Sequence, residues 1–386
     1  MRKLDPARIA VSEEIATWCA QFPASDRALA KSMVASLEFV SRDDYSGWLN
    51  GALQQIQQGK KLALYAVRKL DAGLWTPQGA LSSRPGTSQG SEDFVYSLVA
   101  NFCRRDPQQA FDHATIDELK LSKIHDIVLI DDSIGSGERV LNYLVAFLQN
   151  RTILSWWSFG WIRFHVVAYS RITSGEQRII TKLPGSDHYS RKYRKSTKVS
   201  FYSRRVFHSE WLESRWGKQY QHVLDFCDAE ARLSAFVVRG VGNVMANLVF
   251  FHSVPDNIPG IFWSDAPGFQ PLFGNRALPS WVLDLLDTSA VIGGFNQAAE
   301  GSQLDSEIKK LLALVKRGVR SPASIARRFD CDQRYAKGLL TISVEAGLIT
   351  PTHRLLPAGR DALLRSEAAI AEFDYTMYIP QSWCAP

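Results

Sequence analysis

Two adjacent carboxylates, Asp131 and Asp132, stand between a short apolar run and a glycine-containing turn. The run, Ile127–Ile130, consists of branched aliphatic residues and predicts a strand that is buried on both faces. The turn at residues 135–137 is Gly-Ser-Gly, and a helical pattern begins at Glu138. Backbone N–H groups of such a turn bind phosphate, and paired carboxylates accept hydrogen bonds from hydroxyls or hold a divalent cation. The sequence therefore predicts a site for a phosphorylated sugar.

Other phosphate-binding motifs fit this segment less well. A Walker A loop requires Gly-Lys-Ser/Thr, which is absent. A dinucleotide-binding fingerprint requires a third glycine where Val140 stands. A receiver-type acidic pocket would use similar carboxylates without the glycine turn. From the residues alone, an ordinary strand-to-helix turn stays open as the alternative.

The segment resembles the phosphoribosyl-diphosphate loop of type I phosphoribosyltransferases, in which a hydrophobic strand leads into two acidic residues and a small turn. The resemblance implies that Asp131 and Asp132 are the catalytic pair, binding the ribose 2′- and 3′-hydroxyls and helping to hold Mg²⁺ with the diphosphate. Two residues depart from the pattern: Gly135 replaces an acidic catalytic residue of several base-salvage enzymes, and Arg139 replaces a Thr that binds phosphate. The residues implied to bind ribose phosphate are Ser133, Gly135, Ser136, Gly137, Glu138 and Arg139.

The elements around the acidic pair follow a β-α-β-α-β order, which implies a mostly parallel sheet whose ligand binds at the carboxyl ends of the strands. Residues 1–60 have apolar side chains at helical spacing, Phe39 and Val40 included. A loop without periodicity is expected at Thr76–Gly90, suited to a flap over the substrate. Strands are predicted at Lys61–Ala66, Ile127–Ile130 and Arg163–Tyr169.

Arg68 and Lys69 directly follow the first predicted strand. In phosphoribosyltransferases the first core strand leads into a loop that binds pyrophosphate, so the resemblance makes these two cations candidates for that role. A solvated basic turn is the alternative.

A proline-rich segment carries a second resemblance. It contains Pro255-Asp-Asn257, then Trp263, then Pro271–Arg276. This order resembles a phosphoribosyltransferase-like group of bacterial conflict systems over roughly residues 10–285, although that group has Pro-Asn-Asn in place of Pro-Asp-Asn. A proline-fixed loop that presents polar groups and an indole can hold a heterocycle, whereas a buried proline turn with a core Trp is the alternative. The candidates for the base side of the site are Asp256, Asn257 and Trp263.

The stretch His188–Arg205 combines cations with aromatic side chains, a mixture that suits contact with nucleic acid or a nucleotide. An exposed insertion anchored by its aromatics is the alternative. The candidate contacts are Arg191, Lys192, Arg194 and Lys195.

The C-terminal region resembles a winged helix-turn-helix. Ser321-Pro322 predicts a helix start, Gln333–Ala346 has the spacing of a third helix, and residues 348–356 suit a two-stranded wing. Its charged helix faces can contact DNA or RNA, bind a protein, or simply be solvated. The candidate nucleic-acid contacts are Arg327, Arg334 and Lys337.

The chain has 386 residues and a net charge of +6, and we expect an α/β fold with a phosphoribosyltransferase-like sheet, a helical N-terminal cap and a winged-helix domain. Five scattered cysteines without a Cys-x-x-Cys pair indicate reduced thiols and no zinc site. No apolar run has the length of a membrane span, so a cytoplasmic protein is expected. The predicted divisions are the helical region 1–60, the α/β domain 61–292, the winged helix 303–372 and the tail 373–386.

The resemblances imply an effector of a bacterial antiviral system, with the retron type as one candidate: a toxin that binds a ribose phosphate or nucleotide with Mg²⁺ and transfers a glycosyl group. The alternative is a non-catalytic nucleotide-sensing regulator or an assembly subunit. Reverse transcriptase or ATPase subunits are the partners that such systems imply.

Overall fold

A computed structural model describes residues 2–76, 79–83, 91–188, 190, 193–286 and 298–367. The chain divides into two compact units, one of residues 1–288 with 327–332 and the other of residues 289–326 with 333–386. Arg191, Lys192 and the predicted tail 373–386 lie outside the described residues. In the described part of the chain, no helix is long and apolar enough to cross a membrane.

The N-terminal region is mostly helical, as predicted, with one exception. Phe39 and Val40, which helical spacing assigned to a helix, lie instead in strand β1 (Glu38–Val40). This strand pairs in parallel with β10 (Leu248–Phe250), so a partner far along the chain overrides the local pattern. The helices are α1 (Pro6–Val11), α2 (Glu13–Ala20), α3 (Arg27–Ser36) and α4 (Arg42–Gln57).

The main sheet is parallel, in the order β5-β2-β6-β7-β8, with β9 also paired to β7. This confirms the predicted sheet and its first and third predicted strands. The strand that carries the acidic pair is longer than predicted, because its pairing with β7 continues through both aspartates to Ile134. The strands are β2 (Leu62–Ala66), β5 (Ala110–Asp112), β6 (Asp126–Ile134), β7 (Arg163–Ile172), β8 (Val199–Tyr202) and β9 (Arg205–Phe207).

Part of the segment predicted to be a loop, Thr76–Gly90, is a strand. β3 (Leu70–Trp75) and β4 (Leu81–Ser83) form an antiparallel pair, while residues 77–78 and 84–90 lie outside the described residues. The remaining helices of this unit are α5 (Ser91–Arg105), α6 (Ile116–Leu121), α7 (Glu138–Gln149), α8 (Arg151–Ser158), α9 (Thr173–Lys182), α10 (Lys195–Lys198), α11 (Glu213–Trp216), α12 (Tyr220–Asp228) and α13 (Trp281–Leu285), with 3-10 turns at Gly260–Phe262 and Gly274–Arg276.

Strand β6 lies between two apolar cores. Val128 and Ile130 belong to the core that includes the N-terminal helices, and Ile127 and Leu129 belong to the core that includes α7. All four side chains have no exposed surface. Alternate residues of a strand point to opposite faces, which explains why the run is apolar without interruption.

The second unit contains α14 (Ala298–Lys316), most of α15 (Pro322–Arg328), α16 (Gln333–Glu345) and α17 (Pro357–Glu367). An antiparallel bridge between Ile349 and Leu355 forms the predicted wing. The winged helix-turn-helix pattern is thereby confirmed. Its buried apolar side chains include Leu311, Leu312, Val315, Ile325, Leu339, Leu340 and Ile349.

Residues 327–332 belong to the first unit because buried ion pairs hold them there. Asp330 is 3% exposed, its carboxylate lies 3.4 Å from Arg215 Nε, and Ser214 Oγ donates to it at 2.6 Å. Asp332 lies 3.1 Å from Arg171 Nη2. Burying an unpaired charge costs several kcal/mol. Each of these carboxylates therefore stabilises the buried arginine with which it pairs.

Replacing Asp330 with alanine should lower the free energy of unfolding of the whole chain by about 3–5 kcal/mol, because Arg215 would stay buried without its counter-charge. Asp117→Ala is the matched control: Asp117 is exposed and, among the described residues, its ion pair is with Lys120 at the surface, so its loss should cost less than about 1 kcal/mol. Denaturant unfolding measures both variants. Equal free energies of unfolding for the two variants would show that the ion pair of Asp330 with Arg215 does not stabilise the fold.

Candidate functional site

The acidic pair lines a cavity of about 700 Å³ at the carboxyl end of β6. Residues 131–140 form one wall, and the segments 252–256 and 275–277 contribute another. Asp131 and Asp132 are each only 5% exposed, because the strand that carries them is covered on both faces. The cavity therefore lies where a parallel sheet binds its ligands, and distant parts of the sequence complete it.

The glycine turn is held tightly against α9. Gly137 has a φ of +76°, a left-handed conformation that favours glycine, and it precedes the first residue of α7. A Cβ on Gly137 would lie 2.7 Å from the carbonyl oxygen of Gly175, and a Cβ on Gly175 would overlap the carbonyl oxygen of Gly135. The shape of the turn thus depends on Gly175, which the sequence analysis did not select.

Arg139 lies beside the acidic pair. Its Nη2 is 3.3 Å from Asp131 Oδ1 and 3.8 Å from Asp132 Oδ1. Its side chain is 45% exposed, so the guanidinium neutralises the pair while it stays accessible from the cavity. The resemblance implied a phosphate contact for Arg139, and this position leaves the group within the same cavity.

Backbone N–H groups fix the two carboxylates, and hydroxyl groups hold the strand that carries them. The N–H of Asp132 donates to Asp131 Oδ1 at 2.9 Å, and the N–H of Ser133 donates to Asp132 Oδ1 at 2.7 Å. The buried hydroxyl of Tyr45 donates to the carbonyl oxygen of Asp131 at 3.0 Å. Ser133 Oγ also hydrogen-bonds Ser170 Oγ at 2.7 Å, joining β6 to β7.

His252 is the site residue that the sequence analysis missed. Its Nε2 donates to Asp132 Oδ2 at 2.9 Å, and its side chain is 6% exposed. The ring packs against Phe94, Phe250 and Phe251. Its Nδ1 is buried with no hydrogen-bond partner among the described residues.

The two carboxyls have opposite pKa shifts. Burial raises the pKa of Asp131 well above its usual range; the charge of Arg139 opposes this shift, and that of Asp132 adds to it. Burial also opposes ionisation of Asp132, but the hydrogen bond and the charge of His252, together with the charge of Arg139, outweigh it and lower the pKa of Asp132 to about 2. The arrangement therefore favours one proton on Asp131 and a negative charge on Asp132.

The side chains around the acidic pair supply only some of the ligands that Mg²⁺ needs. The carboxylates supply the hard oxygen ligands that this ion prefers. In the described part of the chain, however, no three His, Cys, Asp or Glu side chains come together as a metal site. Asp131 and Asp132 would hold Mg²⁺ together with oxygens of a ligand.

The three base-side candidates have different surroundings. Asp256 lines the cavity. Asn257 is 2% exposed, and its main chain is so close to Gly240 that a Cβ there would overlap it. The Trp263 indole N–H donates to the carbonyl oxygen of Ile258 at 2.9 Å. Asn257 and Trp263 are not among the described residues that line the cavity.

The pyrophosphate-loop candidates also lie away from the described lining. Arg68 forms an ion pair with Asp93, and its guanidinium lies 4.4 Å from the ring centroid of Tyr96. Its side chain is 12% exposed, whereas Lys69 is exposed. The fold therefore uses Arg68 as a structural ion pair.

The candidate nucleic-acid contacts lie on both units. Arg194 is exposed, and Lys195 Nζ donates to the carbonyl oxygens of Thr181 and Leu183 near the end of α9. Arg191 and Lys192 are outside the described residues. The remaining candidates, Arg327 in the first unit and Arg334 and Lys337 in the second, are exposed.

Two family models match the chain. The model described as PRTase-CE matches residues 15–275, and the model described as wHTH-PRTase associated matches residues 310–385. No curated protein and no solved structure matches the chain. The first match contains the acidic pair, the glycine turn and His252.

Replacing Asp131 with asparagine should raise the melting temperature near neutral pH, because ionising this buried carboxyl opposes folding. The advantage should shrink as the pH falls through the raised pKa of Asp131, where the wild-type carboxyl also becomes neutral. Thermal unfolding over a pH series checks this expectation.

Asp132→Asn is the matched variant and should have the opposite sign. The lowered pKa of Asp132 means that its charge stabilises the fold at neutral pH, and that this contribution is lost only as the pH falls towards about 2. If Asp131→Asn is the less stable of the two variants near neutral pH, the assignment of the proton to Asp131 is wrong.

Proposed function

The chain belongs to the PRTase-CE family, whose model matches more than half of its length, and from this premise we propose that its cavity binds a ribose 5-phosphate group together with Mg²⁺. One observation carries the proposal. A buried acidic pair and a glycine turn at the start of a helix line the same cavity. A cavity of about 700 Å³ also has the volume of a typical ligand pocket.

The phosphate end of the ligand lies on the turn. Backbone N–H groups at residues 136–139 precede or begin α7, where the helix dipole favours an anion. The guanidinium of Arg139 adds a positive charge that can hold phosphate through two hydrogen bonds. The contact between the turn and α9 fixes these groups before the ligand arrives.

The sugar end lies on the acidic pair. The ionised carboxylate of Asp132, oriented by His252, accepts a hydrogen bond from a ribose hydroxyl. Asp131 exchanges its contact with Arg139 for the second hydroxyl. Bound Mg²⁺ would neutralise charge on the diphosphate group as it leaves.

We assign glycosyl transfer at ribose C1 as the reaction class. Such reactions have oxocarbenium-like character, so positioning and electrostatic stabilisation of the leaving group supply most of the catalysis. A second candidate is a nucleotide sensor without chemistry. Two observations favour it: Arg139 lies beside both carboxylates, and the turn has no acid at position 135. Diphosphate release from phosphoribosyl diphosphate, measured beside its binding, separates the two.

In the cell, we propose a cytoplasmic effector of a bacterial antiviral system, with a reverse transcriptase or ATPase as partner. This role rests on the resemblance carried by Pro255–Arg276 to proteins of conflict systems. Plaque counts on hosts that carry the intact system or its Asp131→Asn/Asp132→Asn variant test it. Equal protection by both would reject the proposed role of the site.

Replacing both aspartates with asparagine should weaken binding of phosphoribosyl diphosphate with Mg²⁺ by about 100-fold or more, because each charged hydrogen bond contributes about 1.5–3 kcal/mol. Calorimetric titration measures the affinity, and thermal unfolding confirms that the variant is folded. Full affinity in a folded double variant would show that the pair is not the ribose site.

A further pair of variants addresses the phosphate end of the same ligand. Gly175→Ala would push the turn away from α9, and should weaken binding while both carboxylates stay intact. Gly47→Ala is the control, because a Cβ there meets no described atom within 4 Å.

We also propose that nucleic acid contacts the cations of α16. Binding to duplex DNA should weaken with salt by a log–log slope of about −0.9 per phosphate contact, or about −0.7 per contact with a single strand. Arg334→Gln with Lys337→Gln should flatten this slope, whereas Lys120→Gln, on an exposed pair of the first unit, should not. Without measurable binding to DNA or RNA at low salt, protein docking becomes the better explanation for these charges.

A further inference from the structure

The glycine turn carries no acid, since Gly135 occupies the position at which several base-salvage enzymes place one. We propose that Asp256 supplies this carboxylate from the opposite wall of the cavity and accepts the proton of the group that attacks ribose C1. The inference rests on the proposed function of the site and adds to it both a catalytic residue and an acceptor class.

The position of Asp256 carries the argument. A Cβ built on Gly135 would lie 3.9 Å from Asp256 Oδ1 and, apart from its chain neighbours, would meet no other described atom within 4 Å. The Asp256 carboxylate therefore stands directly beside the space that a side chain at position 135 would enter. Gly135 does not have a left-handed φ, so its missing side chain is not explained by backbone strain.

The surrounding loop holds Asp256 in this position. The N–H of Val241 donates to the Asp256 carbonyl oxygen at 2.8 Å. Arg276 Nη1 lies 3.8 Å from Asp256 Oδ2, and Arg276 Nε donates to the carbonyl oxygen of Val254 at 2.8 Å. The Arg276 guanidinium lies 5.7 Å from the ring centroid of Trp263. Arg276 is thus a positioning residue.

Exposure distinguishes Asp256 from the acidic pair. Its side chain is 43% exposed and lines the cavity, whereas those of Asp131 and Asp132 are 6% and 8% exposed. A general base must come within hydrogen-bond reach of the proton that it removes. Asp256 can meet an incoming acceptor, while the buried pair holds the sugar.

The step balances without a further reagent. The acceptor nitrogen forms a bond to ribose C1 as the bond from C1 to the diphosphate oxygen breaks, and the electron pair of that bond leaves with diphosphate. The proton on the acceptor nitrogen passes to the Asp256 carboxylate and then to water. The step therefore requires an acceptor that carries an ionisable proton, and within this class the proposal names a nitrogen of a nucleobase ring or of an amine.

The experiment moves the carboxylate from position 256 to position 135. Asp256→Asn removes the base, and Gly135→Asp added to it restores a carboxylate from the other wall. Asp265→Asn is the control on an exposed residue of the same region. Each full-length variant is assayed for binding of phosphoribosyl diphosphate with Mg²⁺, and for diphosphate release with water, ammonia and purine and pyrimidine bases over a pH series.

We expect Asp256→Asn to bind phosphoribosyl diphosphate within a few-fold of wild type but to release diphosphate about 100-fold more slowly, the usual scale of general base catalysis. Gly135→Asp added to Asp256→Asn should restore the rate. An unchanged rate in Asp256→Asn, or a loss that the relocated carboxylate does not restore, would overturn the assignment.

The binding arm separates this inference from the proposed function. Wild-type protein that binds phosphoribosyl diphosphate but releases no diphosphate with any acceptor would overturn the role of Asp256 and leave the ribose-phosphate site standing. Wild-type protein that does not bind the compound would overturn both.

Discussion

The burial of two adjacent carboxylates at the end of β6 is the constraint on which the rest of the site depends. Two neighbouring carboxyls in a poorly solvated environment cannot both ionise without a large free-energy cost. The structure meets this cost with a histidine on Asp132, an arginine beside both side chains, and backbone N–H groups. Under the proposed function, a ligand that brings hydroxyl donors and a cation would satisfy the same groups.

The glycine turn depends on a second constraint, its close approach to α9. Gly175 permits this approach, and the next residue, Glu176, pairs with Arg171 at 2.7 Å. Arg171 also holds Asp332. One arginine therefore anchors both the helix that supports the turn and residues 327–332 of the same unit.

Local pattern correctly predicted the strand, turn and helix around the acidic pair. The strand, acidic pair, turn and helix follow one another within residues 127–149, so spacing alone indicated them. His252, Gly175 and the strand around Phe39 depend on partners far along the chain, and spacing carries no signal for such packing. A histidine just before the Pro255 segment was the available hint. For Trp263, the residue type suggested a contact with a base, whereas its indole N–H donates to a carbonyl oxygen within its own loop.

A crystal structure of the full-length protein with phosphoribosyl diphosphate and Mg²⁺ tests the central claim most directly. The account predicts the 5′-phosphate on the backbone N–H groups of residues 135–139 and the ribose hydroxyls within hydrogen-bond distance of Asp131 and Asp132. Arg139 should then contact phosphate and no longer Asp131. A ligand bound elsewhere, or one whose sugar does not reach the carboxylates while Arg139 keeps its contact with Asp131, would contradict the account.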